Sequence, residues 1–230
     1  MRRSPSRVLL KLSGEAFNGP EGAISPSALE RIAGEIVAVR EAEMAIVVGG
    51  GNVIRGARTF DFPRVEADAL GMLATVLNAL ALRSYLERKG REVVVQSAVQ
   101  TELTDPISVR AAASALSEGS VVLFAGGTGS PLVSTDTAAA LRAVSIDAAL
   151  LAKASTVAGV YDGDPAKAED AQFLTEITYD EFLQKRYGVM DQIAVEICRE
   201  HAVPIEVFDF HRTGALAAIA SGERVGTRIW

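Results

Sequence analysis

Three glycine-rich turns, each placed after a short apolar run, are the residues of this chain best suited to chemistry. They are Ser13-Gly14-Glu15, Gly49-Gly50-Gly51-Asn52 and Gly126-Gly127-Thr128-Gly129-Ser130. A glycine turn between a strand and a helix lets backbone N–H groups approach an anion, and the helix N-terminus adds a favourable dipole. If the apolar runs are parallel strands, the turns meet at one sheet edge and can hold two phosphorylated ligands end to end. A phosphoryl transferase needs this arrangement.

Charged side chains accompany these turns. Lys11 interrupts the first apolar run and can direct its ammonium group at phosphate oxygens, although a lysine on a solvated strand edge would give the same pattern. Arg55 follows the second turn and would face the same anion. Asp68 can accept hydrogen bonds from a ribose hydroxyl pair or simply complement a helix dipole. Asp136 follows the helix cap Ser134-Thr135 and can orient Lys11 or a magnesium ion.

A turn-rich segment at residues 158–165 carries two further candidates. Tyr161 can pack against an adenine ring, and Asp164 can bind a ribose or order the loop. The sequence Asp-Gly-Asp-Pro is equally consistent with ordinary turn chemistry. The chain has no P-loop, no Gly-x-Ser-x-Gly elbow and no His-Glu-x-x-His motif, so P-loop, hydrolase and zincin interpretations lose their main support.

The elements that must position these residues alternate between strand and helix. Continuous apolar strands separated by helices predict an α/β fold with a mostly parallel sheet covered on both faces. The predicted strands lie at residues 8–12, 45–48, 92–96, 121–125, 148–152 and 205–208. The predicted helices run from Ser25-Pro26 to about residue 43, over 65–89, from Asp105-Pro106 to about 118 and from 134 to about 144, with two more before the last strand. We expect one domain over residues 1–230, with soft lobes at 1–147 and 148–230.

Composition excludes several classes of protein. The 230 residues are 49% hydrophobic, but we expect no run long enough to span a bilayer, and the N-terminus does not resemble a secretory signal. One cysteine excludes an internal disulfide framework and suits the cytoplasm, and two histidines give no zinc-type cluster. The formal net charge of −6 argues against a nucleic-acid-coating protein.

Taken together, the motifs resemble one known family. The segments Lys11–Ala16, Gly49–Gly56 and Gly71–Asn78, together with Gly127-Thr128-Gly129, Ser134-Thr135-Asp136, Gly159-Val160-Tyr161, Asp164-Pro165 and Val189-Met190-Asp191, are similar to the bacterial-type uridylate kinases of the amino acid kinase superfamily. The similarity covers essentially the whole chain in the expected order. It implies a three-layer αβα sandwich and transfer of the γ-phosphoryl group of ATP to UMP, with magnesium.

The resemblance also implies roles for individual residues. The residues implied to bind ATP are Lys11, Leu12, Ser13, Gly14, Gly51, Arg55, Ser155, Tyr161 and Asp164. The residues implied to bind UMP are Gly50, Asp68, Thr128, Gly129, Ser130, Pro131, Leu132, Val133, Ser134 and Thr135. Lys11, Arg55 and Asp136 would be catalytic, and the lobe at 1–147 would carry the acceptor while 148–230 would carry the ATP nucleoside.

The family is typically a homohexamer that GTP activates and UTP inhibits. The segment Gly19, Pro20, Glu21 and Gly22 resembles the one tied to GTP activation. The chain departs from the family pattern at Ser130, Leu132 and Val133, where asparagine and two aromatic residues are usual, at Ser155 in place of threonine, and at Ala158 in place of aspartate.

Two alternatives stay open at this point. Another member of the superfamily would phosphorylate a carboxylate, carbamate or phosphate acceptor. A non-catalytic nucleotide-binding or storage protein on the same fold would bind ligands without turnover, although the presence of both Lys11 and Asp136 argues against it.

Overall fold

A computed structural model describes residues 6–54, 63–163 and 171–230 of the chain. The strands are β1 (Arg7–Leu12), β2 (Glu43–Val48), β3 (Val93–Ser97), β4 (Asp105–Pro106), β5 (Val121–Ala125), β6 (Leu150–Ser155), β7 (Val160–Tyr161), β8 (Phe173–Leu174), β9 (Glu176–Ile177), β10 (Ile205–Asp209) and β11 (Thr227–Ile229). The helices are α1 (Pro26–Ala38), α2 (Arg64–Arg88), α3 (Val109–Ser117), α4 (Thr135–Ser145), α5 (Tyr179–Lys185), α6 (Gln192–Glu200) and α7 (Ala215–Ala220).

One sheet of nine strands runs through both predicted lobes, in the order β4-β3-β5-β2-β1-β6-β10-β11-β9. All its described neighbours pair in parallel except β10 and β11, which are antiparallel. Strands β1 and β6, from the two lobes, are direct neighbours, with Lys11 opposite Lys153. The carboxyl ends of β1, β2, β5 and β6 therefore share one edge.

Two hydrophobic cores, one on each face of the sheet, create the three layers. Alternate strand residues such as Leu10 and Ile46 pack with α1, α2 and α7 on one face. Their sequence neighbours, such as Leu9 and Val47, pack with α3, α4, α5 and α6 on the other. The prediction of a three-layer αβα sandwich with a mainly parallel sheet is confirmed.

Several element boundaries differ from those predicted. Helix α1 ends at Ala38, not near Glu43, because Val39 is extended and Glu43 already pairs with Arg7 in the sheet. Asp105-Pro106 forms the short edge strand β4, since a residue before proline favours extended backbone. Helix α3 begins after Ser108, whose side chain accepts a hydrogen bond from Ala111 N.

Two further boundaries involve the second lobe. Strand β6 runs from Leu150 to Ser155, two to three residues later than predicted. This lobe also contains four short strands that the sequence pattern did not indicate, namely β7, β8, β9 and β11.

Helix α2 is, by length and composition alone, apolar enough to cross a bilayer, which the sequence reading missed. This single helix is weak grounds for a membrane protein, because a core helix passes the same test. Its buried residues include Ala79, Leu82 and Leu86, which belong to the core under the sheet. Its other side exposes Val65, Leu73 and Leu77.

The antiparallel join between β10 and β11 rests on a fully buried carboxylate. Glu206 accepts hydrogen bonds from the backbone N–H groups of Val225 and Gly226, both 3.0 Å long, and one of 2.5 Å from Arg228 Nε. A buried charge of this kind is tolerated only because each of its partners compensates its lost hydration.

We expect Glu206→Ala to lower the free energy of unfolding by about 3–5 kcal/mol, because it leaves a shielded guanidinium and two N–H groups without their acceptor. Urea titration followed by circular dichroism measures the change. Glu176→Ala is the matched control, since Glu176 forms an exposed ion pair with Arg224 and its loss should cost no more than about 1 kcal/mol. Equal effects of the two substitutions would contradict this account.

Candidate functional site

The three glycine turns converge on one cavity of about 400 Å³ at the carboxyl edge of the sheet. The first turn follows β1, the second follows β2 and the third follows β5. Helix α2 closes the side of the cavity with Asp68 and Met72. The predicted site residues that line this cavity are Lys11, Ser13, Gly14, Gly50, Gly51, Asp68, Thr128, Ser130, Val133 and Thr135.

The first two turns interlock through their backbones. A Cβ atom on Gly14 would lie 2.3 Å from Gly51 N, and one on Gly50 would lie 2.3 Å from Gly71 O in α2. No side chain fits at such distances, so these glycines are required for packing as well as for any approach to a ligand. The third turn requires glycine for another reason, since Gly126, Gly127 and Gly129 all have positive φ.

Two polar residues of α2 hold the second and third turns in place. The buried Asn78 donates hydrogen bonds to Gly49 O and to Asn52 Oδ1, both at 2.7 Å, and accepts one of 2.9 Å from Asn52 Nδ2. Thr75 Oγ1 accepts a hydrogen bond of 2.6 Å from Gly126 N. Helix α2 therefore fixes the relative positions of two turns that are distant in sequence.

A buried Lys–Asp–Lys cluster adjoins the cavity, and Lys11 is the member of it that lines the cavity. Lys11 and Lys153 are register partners on β1 and β6, so their side chains leave the same face of the sheet side by side. Asp136, in the first turn of α4, lies above them. Its Oδ1 is 2.6 Å from Lys11 Nζ, and its Oδ2 accepts a hydrogen bond from Lys153 Nζ. Asp191 N also donates to Oδ2, at 3.2 Å.

Burial and charge oppose each other in this cluster. Burial alone would raise the pKa of Asp136, but the two ammonium groups outweigh it and lower the pKa to about 2. Burial and the adjacent Lys11 lower the pKa of Lys153 to about 8, although Asp136 acts in the opposite direction. The cluster holds a net positive charge at neutral pH, close to the turns, which suits phosphate oxygens.

Asp68, on α2, also lines the cavity. It forms an exposed pair with Arg64, whose Nε is 3.0 Å from both carboxylate oxygens, and it accepts a hydrogen bond of 2.9 Å from Leu132 N. Asp68 thereby ties α2 to residues 128–135. Leu132 has an exposed side chain and a positive φ of 67°. The hydrogen bond from its N–H group to Asp68 helps to stabilise this backbone conformation.

A second cavity, of about 580 Å³, opens beside the end of β6. Ser155 and Tyr161, two of the residues predicted to bind ATP, line it. Tyr161 packs edge-on against Phe173, with ring centroids 5.5 Å apart. Lys185, Arg186 and Tyr187, from the end of α5 and the residues after it, complete the wall. An apolar wall with nearby cations suits a nucleoside carrying phosphates.

Some predicted site residues occupy other places. The side chain of Leu12 lies in the core, so only its backbone is available, and Leu12 O already accepts from Gly49 N. Ser134 caps α4 by accepting from Thr137 N. Gly129, Pro131 and Leu132 do not line the first cavity.

Three further predictions concern other parts of the chain. Arg55 and Asp164 lie outside the described residues. Residues 19–22 form an exposed turn that does not line the cavity, and the Glu21 carboxylate there accepts hydrogen bonds from Ser25 and Ser27.

Lys153 is the site residue that the sequence reading missed. It interrupts the apolar run Leu-Leu-Ala-Lys-Ala in the same way that Lys11 interrupts Val-Leu-Leu-Lys-Leu. A lysine inside a buried strand needs a compensating partner, and this was the available signal. Asn78 was missed as well, because an amide within a long helix has no distinguishing pattern.

Comparisons with known proteins agree with this geometry. Residues 6–209 match the sequence profile of the Amino acid kinase family. A uridylate kinase of Methylococcus capsulatus is 45% identical over 229 residues, covering 97% of this chain and 96% of that protein. The crystal structure of the UMP kinase from Bacillus anthracis superposes with a TM-score of 0.94 at 35% identity, covering 99% of this chain and 96% of that one. The UMP kinase from Ureaplasma parvum gives 0.90 at 30% identity, covering 100% and 99%.

The charge balance of the cluster predicts that two substitutions shift the pKa of Lys153 in opposite directions. Asp136→Asn should lower the pKa of Lys153 below about 8, because it removes the negative charge that stabilises the protonated amine. Lys11→Met should raise the pKa of Lys153, because it removes a positive charge that repels the protonated amine. Nuclear magnetic resonance titration of the lysine side-chain carbons measures both shifts, with the half-buried Lys89, which is not part of the cluster, as the internal control. Shifts of the same sign would refute the assignment.

The same pKa fixes how stability depends on pH. The pKa of Lys153 falls from 10.5 to about 8 on folding, so between these values the unfolded chain binds more protons. The contribution of Lys153 to the free energy of unfolding therefore rises with pH across this window.

Proposed function

The chain belongs to the amino acid kinase family, and we propose that it transfers the γ-phosphoryl group of ATP to UMP, giving ADP and UDP. The observation that carries this proposal is the Lys11–Asp136–Lys153 cluster, whose Lys11 lines the cavity where the three glycine turns meet. The identity of the acceptor, UMP, is supported by the uridylate kinase relatives, which the chain matches over nearly their full length. The enzyme is a nucleoside monophosphate kinase of pyrimidine nucleotide biosynthesis.

Phosphoryl transfer requires the protein to align the UMP phosphate with the γ-phosphorus of ATP and to compensate the negative charge of the transition state. An oxygen of the UMP phosphate attacks the γ-phosphorus, and the bond to the ADP oxygen breaks. Negative charge spreads over the transferring group and the leaving oxygen as this happens. Lys11 and Lys153 neutralise that charge from below, and Asp136 keeps both ammonium groups at fixed positions.

The two cavities divide the substrates. The backbone N–H groups of the first two turns contact the ATP phosphates, with Ser155 and Tyr161 beside the nucleoside in the second cavity. The acceptor occupies the other end of the first cavity, between Asp68 and Thr128 to Thr135. Arg55 and Asp164 join the donor side in this proposal on the strength of sequence resemblance.

Magnesium enters with ATP in this scheme. Among the described residues, no group of three acidic, histidine or cysteine side chains is placed to hold a metal, and both oxygens of Asp136 are paired with lysine. Such a site fits an ion that takes most of its ligands from phosphate oxygens and water, with Asp136 as the nearest carboxylate of the cluster. When bound, the ion would supply positive charge that offsets the negative charge of the ATP phosphates.

We also propose that the enzyme is a cytoplasmic homohexamer, activated by GTP and inhibited by UTP. Exposed Val65, Leu73 and Leu77 on α2 support assembly, because isolated chains rarely leave such a stripe in water. For GTP, the proposed contact is the turn at Gly19 to Gly22. Asn52, in the second glycine turn, donates a hydrogen bond from Nδ2 to Ala23 O, directly after the proposed GTP contact. The same amide group also donates to Asn78 Oδ1 on α2.

The reaction is tested by measuring ADP release with ATP and magnesium across a panel of acceptors, with and without GTP. We expect UMP to be turned over at least about 100-fold faster than other nucleoside monophosphates, since polar groups that pair with one base are left unpaired by another. Turnover of a carbamate, carboxylate or isopentenyl phosphate in place of UMP would overturn the acceptor. Tight binding of ATP and UMP without turnover would indicate a storage protein instead.

Substitutions in the cluster separate catalysis from binding. Lys11→Ala, Lys153→Met and Asp136→Ala should each lower kcat by about 10²–10³-fold, because each removes charge stabilisation that is strongest in the transition state. The affinity for UMP, measured by calorimetry, should change by less than about threefold. Lys89→Met, at an exposed ion pair, is the control and should leave kcat unchanged. Near-normal turnover in any cluster variant would remove that residue from the mechanism.

A further inference from the structure

A third cavity, of about 580 Å³, adjoins the third glycine turn. The end of β3, strand β4 and helix α4 surround it, and Thr128 lines both this cavity and the first one. Its lining includes hydroxyl groups from Thr101, Thr104 and Thr128 beside apolar residues such as Val99 and Ile107. Of the three glycine turns only the third reaches this cavity, through Thr128, and none of Lys11, Asp136 and Lys153 lines it, so phosphoryl transfer does not account for it.

Arg142 contributes the charge of this cavity. It belongs to the last turn of α4, where a cation is favourable to the helix dipole. The helix dipole does not replace a hydrogen-bond acceptor, however, and the buried Nε of Arg142 has no hydrogen-bond partner. Within the described part of the chain, no carboxylate pairs with the guanidinium, whose identified contact is the Phe124 ring, 5.8 Å from its centre. Burial lowers the pKa of Arg142, and no neighbouring charge offsets that effect.

A second buried donor accompanies the guanidinium. Thr104 Oγ1 is buried and also lacks a partner. Thr101 Oγ1 accepts a hydrogen bond of 3.1 Å from Leu103 N, which leaves its own hydrogen available to an acceptor. Asp105 is exposed and carries the opposing charge at the rim of the cavity. Unsatisfied buried donors are costly, and here two of them line one cavity.

We propose that this third cavity binds a small oxyanion, with Arg142 as its principal ligand and Thr104 and Thr101 as hydroxyl donors. A phosphate or carboxylate group supplies several acceptor lone pairs at once, and a planar guanidinium binds either of them through two parallel hydrogen bonds. The site lies against Thr128 and is separate from the substrate phosphates.

The test is calorimetric titration of the complete protein in Tris–chloride buffer, with UMP and a non-hydrolysable ATP analogue with magnesium present to fill the first two cavities. Inorganic phosphate is titrated in one arm and succinate in the other, which distinguishes the two oxyanion classes. We expect one anion to bind per chain in at least one arm. Arg142→Met should weaken that binding at least tenfold, and Thr104→Val should weaken it severalfold.

Arg110→Met is the matched control, because Arg110 is an exposed arginine on the neighbouring helix α3 and its loss should not change binding. Arg142→Lys retains the charge but not the paired hydrogen bonds, so it should bind more weakly than the wild type even if the methionine variant does not fold. The proposal is overturned if neither anion binds the wild-type protein, which would leave water as the partner of Arg142. Unchanged binding in both Arg142→Lys and Thr104→Val would overturn it equally.

Discussion

The electrostatic balance between one carboxylate and two ammonium groups is the constraint on which the site depends. Placing Lys11 and Lys153 side by side on neighbouring buried strands would be strongly unfavourable without Asp136 between their nitrogens. The strand register fixes the two lysines, and the cap of α4 fixes the carboxylate. Sheet, helix and turn must therefore all be in place before the cluster is stable. The result is a rigid positive surface beneath the phosphate turns, prepared before any nucleotide arrives.

The glycine turns serve packing and ligand approach together. Gly14 and Gly50 lie so close to neighbouring backbone that a single methyl group would separate the turns. Asn78 and Thr75 then attach two of the turns to α2 through hydrogen bonds. This explains why a helix with such an apolar composition carries polar residues on its buried side. Position, more than charge, is what α2 contributes to the site.

The sequence was sufficient for the layers of the fold, because apolar strands alternate with helices and the glycine turns lie at strand ends. It also suggested a pairing of Lys11 with Asp136, which lie 2.6 Å apart. It missed Lys153 and Asn78, whose importance comes from sheet register and from a contact across 29 residues of chain. It also misplaced the start of α3, where the extended preference of Asp105-Pro106 prevailed over helical periodicity. Local patterns identify elements, whereas the cluster depends on long-range pairing.

The position of the two lysines has a mechanical consequence. Strands β1 and β6 belong to different predicted lobes, yet they are hydrogen-bonded neighbours at the centre of one sheet. A hinge opening between the lobes would break that ladder and separate the paired charges, so the lobes cannot swing apart as two rigid bodies. Any movement that admits nucleotides must come from the loops and helices above the sheet edge. The central strands then keep their positions while substrates enter and leave.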